Sequence, residues 1–563
     1  FKRKIQFFLV IGFSLFVSVM EMVTVGSLVP FVSSIIDSTP SFASEYIFLL
    51  KEILKIADKN TLILILASTF VLLSVITALC RSLLIYITAR FANLVLSELG
   101  SALYNQKLSE PYIKFISKGS DEMISLISTK LFQIYGVIFG VLQFITSLIL
   151  LLSIALILIF IDSKLTLISL SVFGSLYILV ILFFRKTLKK NSKIISNNTR
   201  LMVKSLQEGV GSIRDIILEN NQKFYINNFS KLMFERGFKI AINDLLSLSP
   251  RFLLEVIGII LISTFLYYYN DNSGGIINLF PVLSALALGA QKIMPLMNLL
   301  YVNYASAVAS SHQLNEAIEI LRKRKNSTEI ESLSIEKIDF NSRILIKNVS
   351  FRYKEDLPLI LENINLEIKK GSKIGIIGKT GVGKSTVLDI VMGLLSPTMG
   401  EIYVDNKKID HKNCISWRKK TTHVPQDIFL INGTILENIA LGLNLNEIDY
   451  LKVENCAKYA EIYNFINSLD NKFQENVGER GIKLSGGQKQ RIGIARALYR
   501  DSDLIIFDEA TNALDLNTEN KIINSISNLK DSTIVMVTHR VESLRICDKV
   551  YEIDKNSIIE KKI

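Results

Sequence analysis

Two uninterrupted apolar stretches limit what this chain can fold into. Val137 to Ile161 runs without a charge, and after Asp162-Ser163-Lys164 a second stretch runs from Leu165 to Phe184. A helix of roughly 20 mostly apolar residues crosses a hydrocarbon layer ~30 Å thick, and in lipid every backbone polar group must be satisfied within the segment. The pair therefore predicts a transmembrane helical hairpin. Four more segments, Ile5 to Ile36, Thr61 to Phe91, Phe252 to Tyr269 and Ile276 to Tyr301, are apolar but carry Glu21, Arg81, Arg90, Glu255 and Lys292. Six spans follow, in an all-α membrane domain over residues 1–325. The run after Lys2, Arg3 and Lys4 is too long for a signal peptide and has no small-residue cleavage motif, so the first helix is expected to be retained.

Lys2, Arg3 and Lys4, and the cluster Arg185, Lys186, Lys189, Lys190 and Lys193, put the polar segments around 92–136 and 185–250 in the cytoplasm by the bias of positive charge. Segments 37–60, 162–164 and 270–275 then lie outside. In the first of these, Phe42, Tyr46, Leu49, Leu50, Ile53 and Leu54 recur at helical spacing, as in a helix lying on the outer surface or packing on the spans. The net charge of +12 is thereby absorbed by cytoplasmic loops and does not call for nucleic acid. Four scattered cysteines, Cys80, Cys414, Cys456 and Cys547, have neither disulfide-framework nor zinc spacing.

From Arg322 the chain turns polar. Residues 326–339 read as a linker and 340–563 as a soluble α/β domain, in which short β-rich runs at Ile344–Ser350, Ile374–Ile377, Leu504–Phe507 and Ile534–Val537 alternate with helical patterns. After the second run comes Gly378-Lys379-Thr380-Gly381-Val382-Gly383-Lys384-Ser385-Thr386, a phosphate-binding loop of the form G-x-x-x-x-G-K-[ST]. Its glycines let backbone N–H groups close on phosphates, Lys384 reaches the β and γ oxygens, and Ser385 offers an oxygen to Mg²⁺. Leu504 to Phe507 ends in Asp508-Glu509: the first carboxylate suits water-mediated Mg²⁺ binding, the second the activation of a water.

Just upstream of that strand, Leu484-Ser485-Gly486-Gly487-Gln488-Lys489-Gln490-Arg491 resembles the signature sequence of ATP-binding cassette (ABC) transporters. The resemblance implies that Ser485, Gly486, Gly487 and Gln488 meet the γ-phosphate of an ATP held by a partner domain, two domains enclosing two ATP molecules head to tail. It also implies that Tyr353 stacks on adenine, that Gln426 touches Mg²⁺ and senses the γ-phosphate, that His539 is the switch histidine, and that Asp515 communicates across the dimer. Gly478-Glu479-Arg480-Gly481 is similar to the exporter-type segment that meets the membrane domain. Asn512 departs from the serine of many relatives. ATP and Mg²⁺ as cofactors, a homodimer with about twelve spans, and a place in the bacterial inner membrane with the nucleotide domain cytoplasmic are implied.

By the same resemblance, Ser109 to Phe115, broken by Pro111, and roughly Asn220 to Phe229 are expected to be short transverse coupling helices. Glu21-Met22-Val23-Thr24-Val25-Gly26-Ser27-Leu28-Val29-Pro30-Phe31, Ser249-Pro250-Arg251 with Glu255, and Lys292-Ile293-Met294-Pro295 are similar to PglK-type flippases of lipid-linked oligosaccharides. Arg81, Arg251 and Lys292 then become candidates to line a cavity and meet a pyrophosphate, since charge within a span is costly unless it faces water or a partner. The competing reading pairs them with Glu21 or Glu255. An exporter of drugs, glycolipids or peptides is the alternative function; a peptidase-bearing peptide exporter is disfavoured because no further domain precedes the first span.

Overall fold

The computed structural model describes residues 3–36, 52, 58–117, 120–125, 127, 131–161, 163–269, 275–312, 314–319, 322, 336–410, 412–529, 532–554 and 557–561. The outer-loop positions Phe42, Tyr46, Leu49, Leu50, Ile53 and Leu54, and most of the linker, lie outside these. The chain divides into two units, Phe1–Glu110 with Lys118–Arg324, and Pro111–Ser117 with Lys325–Ile563.

The first unit is helical. Each of the six apolar segments falls in a helix: Lys4–Ile36, Lys59–Leu108, Leu131–Ile161, Ser163–Gly211, Pro250–Tyr269 and Gly275–Ala309. Among the described residues, four of these are long and apolar enough to cross a membrane. The helices Lys4–Ile36, Lys59–Leu108, Leu131–Ile161 and Gly275–Ala309 share a core that joins Val17, Val25, Leu84, Leu150, Ile154, Ile157, Ile293 and Leu296. Against this apolar background the first helix buries a polar stripe at helical spacing, Ser14, Ser18, Glu21 and Thr24. Ser14 and Ser18 satisfy their hydroxyls on carbonyls one turn back, and Thr24 shares a 2.9 Å hydrogen bond with Thr77 of the second helix.

Local signals explain the helix ends. Asp58 caps Lys59–Leu108 by accepting from the Thr61 N–H at 3.1 Å. That helix stops just before Pro111, which disfavours helical geometry at Glu110, and the short helix Tyr112–Ser117 follows, overlapping the Ser109–Phe115 segment expected to be transverse and running two residues beyond it. The second expected position needs correction. Asn220 to Phe229 is not a separate short helix; the short element is Ile213–Leu218, and Gln222 begins the long helix Gln222–Leu248. Gly211 ends the preceding helix, and Asn220 takes a left-handed φ of 56°, a conformation asparagine tolerates, so the chain turns there.

The second unit holds two sheets. Its strands are β1 (Arg343–Phe351), β2 (Leu361–Lys369), β3 (Lys373–Ile377), β4 (Met399–Val404), β5 (Lys407–Lys408), β6 (Thr421–Val424), β7 (Leu504–Asp508), β8 (Thr533–Val537), β9 (Lys549–Asp554) and β10 (Ser557–Lys561). An antiparallel sheet runs β2-β1-β4-β5, and a six-stranded sheet runs β10-β9-β3-β8-β7-β6. In the larger sheet β9, β3, β8, β7 and β6 are parallel. A parallel sheet is covered on both faces, so the central strands read as continuous apolar runs, Ile505 to Phe507 and Ile534 to Val537 being buried throughout. Trp417 fills the core with its indole N–H donated to the Val391 carbonyl at 2.7 Å, and Ile113 of the short helix packs on the same cluster.

Candidate nucleotide site

Because β3, β8, β7 and β6 run parallel, their carboxyl ends open on one edge of the sheet, the place where open α/β sheets take their ligands. Gly378 follows β3, Asp508 and Glu509 end β7, His539 follows β8 and Gln426 follows β6. Residues separated by up to 161 positions in sequence thus converge without any of them needing local proximity.

The loop after β3 is built around glycine geometry at two points. Gly378 has φ +152°, and a Cβ there would stand 2.5 Å from the Ile553 carbonyl oxygen. Gly383, the N-cap of helix Lys384–Val391, has φ +100°, and a Cβ would meet the Leu361 methyl at 2.7 Å. At these two points the loop has room for backbone only, a geometry that lets backbone N–H groups and the helix N-terminus close on an anion. Lys384 is folded back into the loop, donating to the Gly378 carbonyl at 2.6 Å and lying 3.2 Å from His539 Nε2. Lys379, Thr380, Gly381 and Val382 complete the turn, and Thr386 Oγ1 lies 3.4 Å from the Tyr353 hydroxyl. Tyr353 is held edge-on against buried Phe351, ring centres 5.0 Å apart.

The carboxylates divide into two environments. Ser385 Oγ donates to Asp508 Oδ2 at 3.3 Å, and burial, followed by the Glu509 charge, holds the Asp508 carboxyl above its ordinary range against the pull of Ser385 and Lys384. A serine hydroxyl beside a carboxylate is a hard-oxygen donor pair, which fits Mg²⁺. Glu509 is fixed by three neighbours: Gln426 Nε2 donates at 3.1 Å, Asn512 Nδ2 at 2.7 Å, and His539 Nε2 lies at 3.1 Å. Its own φ is 50°, a left-handed backbone that an ordinary residue holds only when its surroundings impose it. The Glu509 N–H donates to the Val537 carbonyl at 2.9 Å, tying that turn to β8.

The serine-glycine segment is a helix start. Ser485 and Gln488 form a reciprocal capping box at the head of helix Gly486–Tyr499, and Gly487 leaves a gap that a Cβ would fill against the Ala513 carbonyl at 3.1 Å. The Ala513 N–H in turn donates to Gln490 Oε1 at 3.0 Å, so the turn carrying Asp515 rests on this helix. Asp515 caps Leu516–Ser527, and the Thr518 N–H it accepts at 2.9 Å holds its carboxyl below the usual carboxylate range.

Two contributors went unread in the sequence. Asn512 is a direct partner of Glu509, and its spacing of three residues was the available signal. Buried Glu519 has none: it gathers Arg540, Ser543 and the 2.9 Å hydroxyl of Thr511, bracing the turns on either side of His539 and Asn512. Asp389, on the phosphate-loop helix, is pushed up to about 6 by burial and then by the Asp508 charge. A folded pKa above the unfolded value of 3.8 means folding takes up a proton, so stability falls as pH rises from about 4 to about 6 and stays lower above that. Asp389→Asn is expected to raise the nucleotide-free Tm by roughly 2–4 °C near pH 8, with the gain vanishing toward pH 4. Calorimetry at the two pH values checks this; an equal gain at both would refute it.

The cations of the spans do not converge as a trio. Arg81 Nη1 donates to Glu21 Oε1 at 3.0 Å and Lys292 Nζ donates to Glu21 Oε2, whereas Arg251 pairs with Glu255 one helical turn away at 2.8 Å, largely exposed.

Residues 361–512 match the ABC transporter family. A lactococcin-G-processing and transport ATP-binding protein of Lactococcus lactis is 32% identical over 390 residues, 68% of this chain and 54% of that protein. A leukotoxin export ATP-binding protein of Aggregatibacter actinomycetemcomitans is 38% identical over 42% of this chain and 33% of its own length. An α-hemolysin translocation ATP-binding protein of Escherichia coli is 37% identical over 40% of this chain and 31% of its own length. The chain thus spans between a third and about half of the curated relatives it matches. In structure it is similar to a bacterial Atm1-family ABC exporter with ATP bound, TM-score 0.80, at 20% identity over 98% of this chain and 95% of that one. The fold is that of an ABC exporter, a helical membrane domain followed by an ABC ATPase domain. Among the described residues, four of its helices are long and apolar enough to cross a membrane, as a multi-pass membrane protein requires.

Proposed function

We propose that this exporter-type ABC chain is a half-transporter that dimerises, hydrolyses ATP and moves an anionic, lipid-linked cargo from the cytoplasmic to the outer leaflet, most simply a polyprenyl-pyrophosphate oligosaccharide. The observation that carries the cargo class is the Glu21–Arg81–Lys292 cluster: two cations around one carboxylate leave a net positive charge within the spans, where uncompensated charge is costly and marks a site. The flippase-like segments around Glu21, Ser249-Pro250-Arg251 and Lys292 support the same reading.

In the ATPase domain, Gly378 to Thr386 cradle the phosphates, Tyr353 stacks on the base, and Lys384 leaves the Gly378 carbonyl for the β and γ oxygens. Ser385, Asp508 and Gln426 would hold Mg²⁺, which supplies charge neutralisation on the phosphates when bound. Glu509 takes a proton from the attacking water, His539 and Gln426 set its orientation, and Asn512 donates to the same carboxylate. Ser485, Gly486, Gly487 and Gln488 close the partner's site and Asp515 links the two. Closure is passed to the spans through Tyr112–Ser117 and Ile213–Leu218, and alternating access follows.

The test is translocation of a labelled polyprenyl-pyrophosphate oligosaccharide in proteoliposomes with ATP. Transport that is lost in Glu509→Gln supports the flippase; its absence from a wild type that hydrolyses ATP removes it. Charge-removing changes at Arg81 or Lys292 are expected to lower translocation per ATP by about tenfold, and an unchanged ratio would sink the anionic-cargo reading. A peptide cargo is the second reading, favoured by the 390-residue match to the lactococcin-G protein, which reaches beyond the ATPase domain.

A further inference from the structure

Glu21 is the most deeply enclosed charge of the spans. Its side chain is 2% exposed, whereas those of Arg81 and Lys292, its two partners, are 36% and 21% exposed. Each carboxylate oxygen takes one cation: Oε1 accepts from Arg81 and Oε2 from Lys292. Three helices therefore meet on one carboxylate, namely Lys4–Ile36, Lys59–Leu108 and Gly275–Ala309, and the residues beside the charges, Met22, Cys80 and Ile293, lie in their shared apolar core. Glu21 is accordingly the enclosed member of the cluster, and the cations keep an open side.

We infer that Glu21 is a built-in counter-ion that occupies the two cations in place of the cargo's anionic headgroup, and that a phosphorylated headgroup binds by displacing it. The inference rests on the anionic-cargo reading above. Its physical basis is exchange. A diphosphate offers several oxygens to the donors that Glu21 now engages with two, and charge-assisted hydrogen bonds of this kind are among the strong ones. Leaving Arg81 and Lys292 without any anion would expose two desolvated charges, whereas Glu21 keeps them neutralised to a net +1 when no cargo is present. Glu21 thus weakens headgroup binding on purpose of geometry: every headgroup must compete with an anion already seated. Release follows the same exchange in reverse, with the carboxylate taking the cations back.

The prediction is a gain. The purified full chain in nanodiscs is titrated with a short-chain polyprenyl diphosphate, and with the matching uncharged polyprenol as control. Glu21→Gln, which keeps the shape and removes the competing charge, is expected to bind the diphosphate about tenfold more tightly than wild type, with the polyprenol unaffected. Wild-type binding of the diphosphate that Glu21→Gln leaves unchanged or weakens overturns the counter-ion while the anionic-cargo reading stands. A wild type that does not distinguish diphosphate from polyprenol overturns both. Should Glu21→Gln fail to reach the membrane folded, Glu21→Asp keeps the charge on a side chain one methylene shorter, which reaches both cations less well. It is expected to tighten diphosphate binding by a smaller factor, and equal or weaker binding counts against the inference.

Discussion

Glu509→Gln is expected to cut steady-state ATP hydrolysis by at least about 10²-fold while ATP binding persists, the loss typical of removing a positioned general base. The substitution isolates the base from its scaffold. The carboxylate accepts from Gln426 and Asn512 through one oxygen and faces His539 with the other. A glutamine oxygen can keep the first two bonds, and its amide can donate to an unprotonated His539 nitrogen, so the turn survives with its left-handed φ of 50°. What is lost is only the ability to take a proton. Hydrolysis is read by phosphate release, binding by retention of labelled ATP; brisk turnover in the variant would remove Glu509 from the role of base, and loss of ATP binding would show that it holds the site together instead.

Gly378→Ala is expected to abolish nucleotide binding and to destabilise the ATPase domain by about 2 kcal/mol or more. A residue held where φ is +152° costs on the order of 1–3 kcal/mol unless it is glycine. The added Cβ would also stand 2.5 Å from the Ile553 carbonyl oxygen, a backbone atom of β9 that a side-chain rotation cannot clear. Relief must come from the loop, and displacing Gly378 also displaces the carbonyl that holds Lys384. Fluorescent-nucleotide binding and thermal unfolding report the two effects; a variant that binds ATP like wild type would show that the cradle tolerates a larger gap than its geometry implies. Gly383→Ala meets the Leu361 and Ile360 side chains, which can yield, so its cost comes mainly from holding a non-glycine residue at φ +100°.

The legibility of this chain followed the range of the interactions. Spans were readable because lipid imposes length and apolarity residue by residue, and helix Lys59–Leu108 shows the same for its ends, with Asp58 as cap and Pro111 as stop. A resemblance places the second short element only roughly, near 220–229, whereas Gly211 and Asn220 mark the turns that make Ile213–Leu218 the short element. In the ATPase domain the glycine loop, the paired carboxylates and the serine-glycine helix start are local patterns, each carrying its own backbone demand, and their chemistry could be stated before any fold was known.

Partnership is different, because it depends on which strands lie side by side. The parallel order β6-β7-β8-β3 brings Gln426, Glu509, His539 and Lys384 to one edge, and nothing in the spacing of those residues states that Glu519 would brace them from behind. The same holds in the membrane half. The sequence by itself determined that Glu21, Arg81, Arg251 and Lys292 are charges at an apolar depth and must be compensated. Only the tertiary structure decided the pairing, with Arg81 and Lys292 on Glu21 and Arg251 on its own helix neighbour Glu255. A helix period can predict a partner one turn away; a partner 60 or 271 residues distant is chosen by how helices pack.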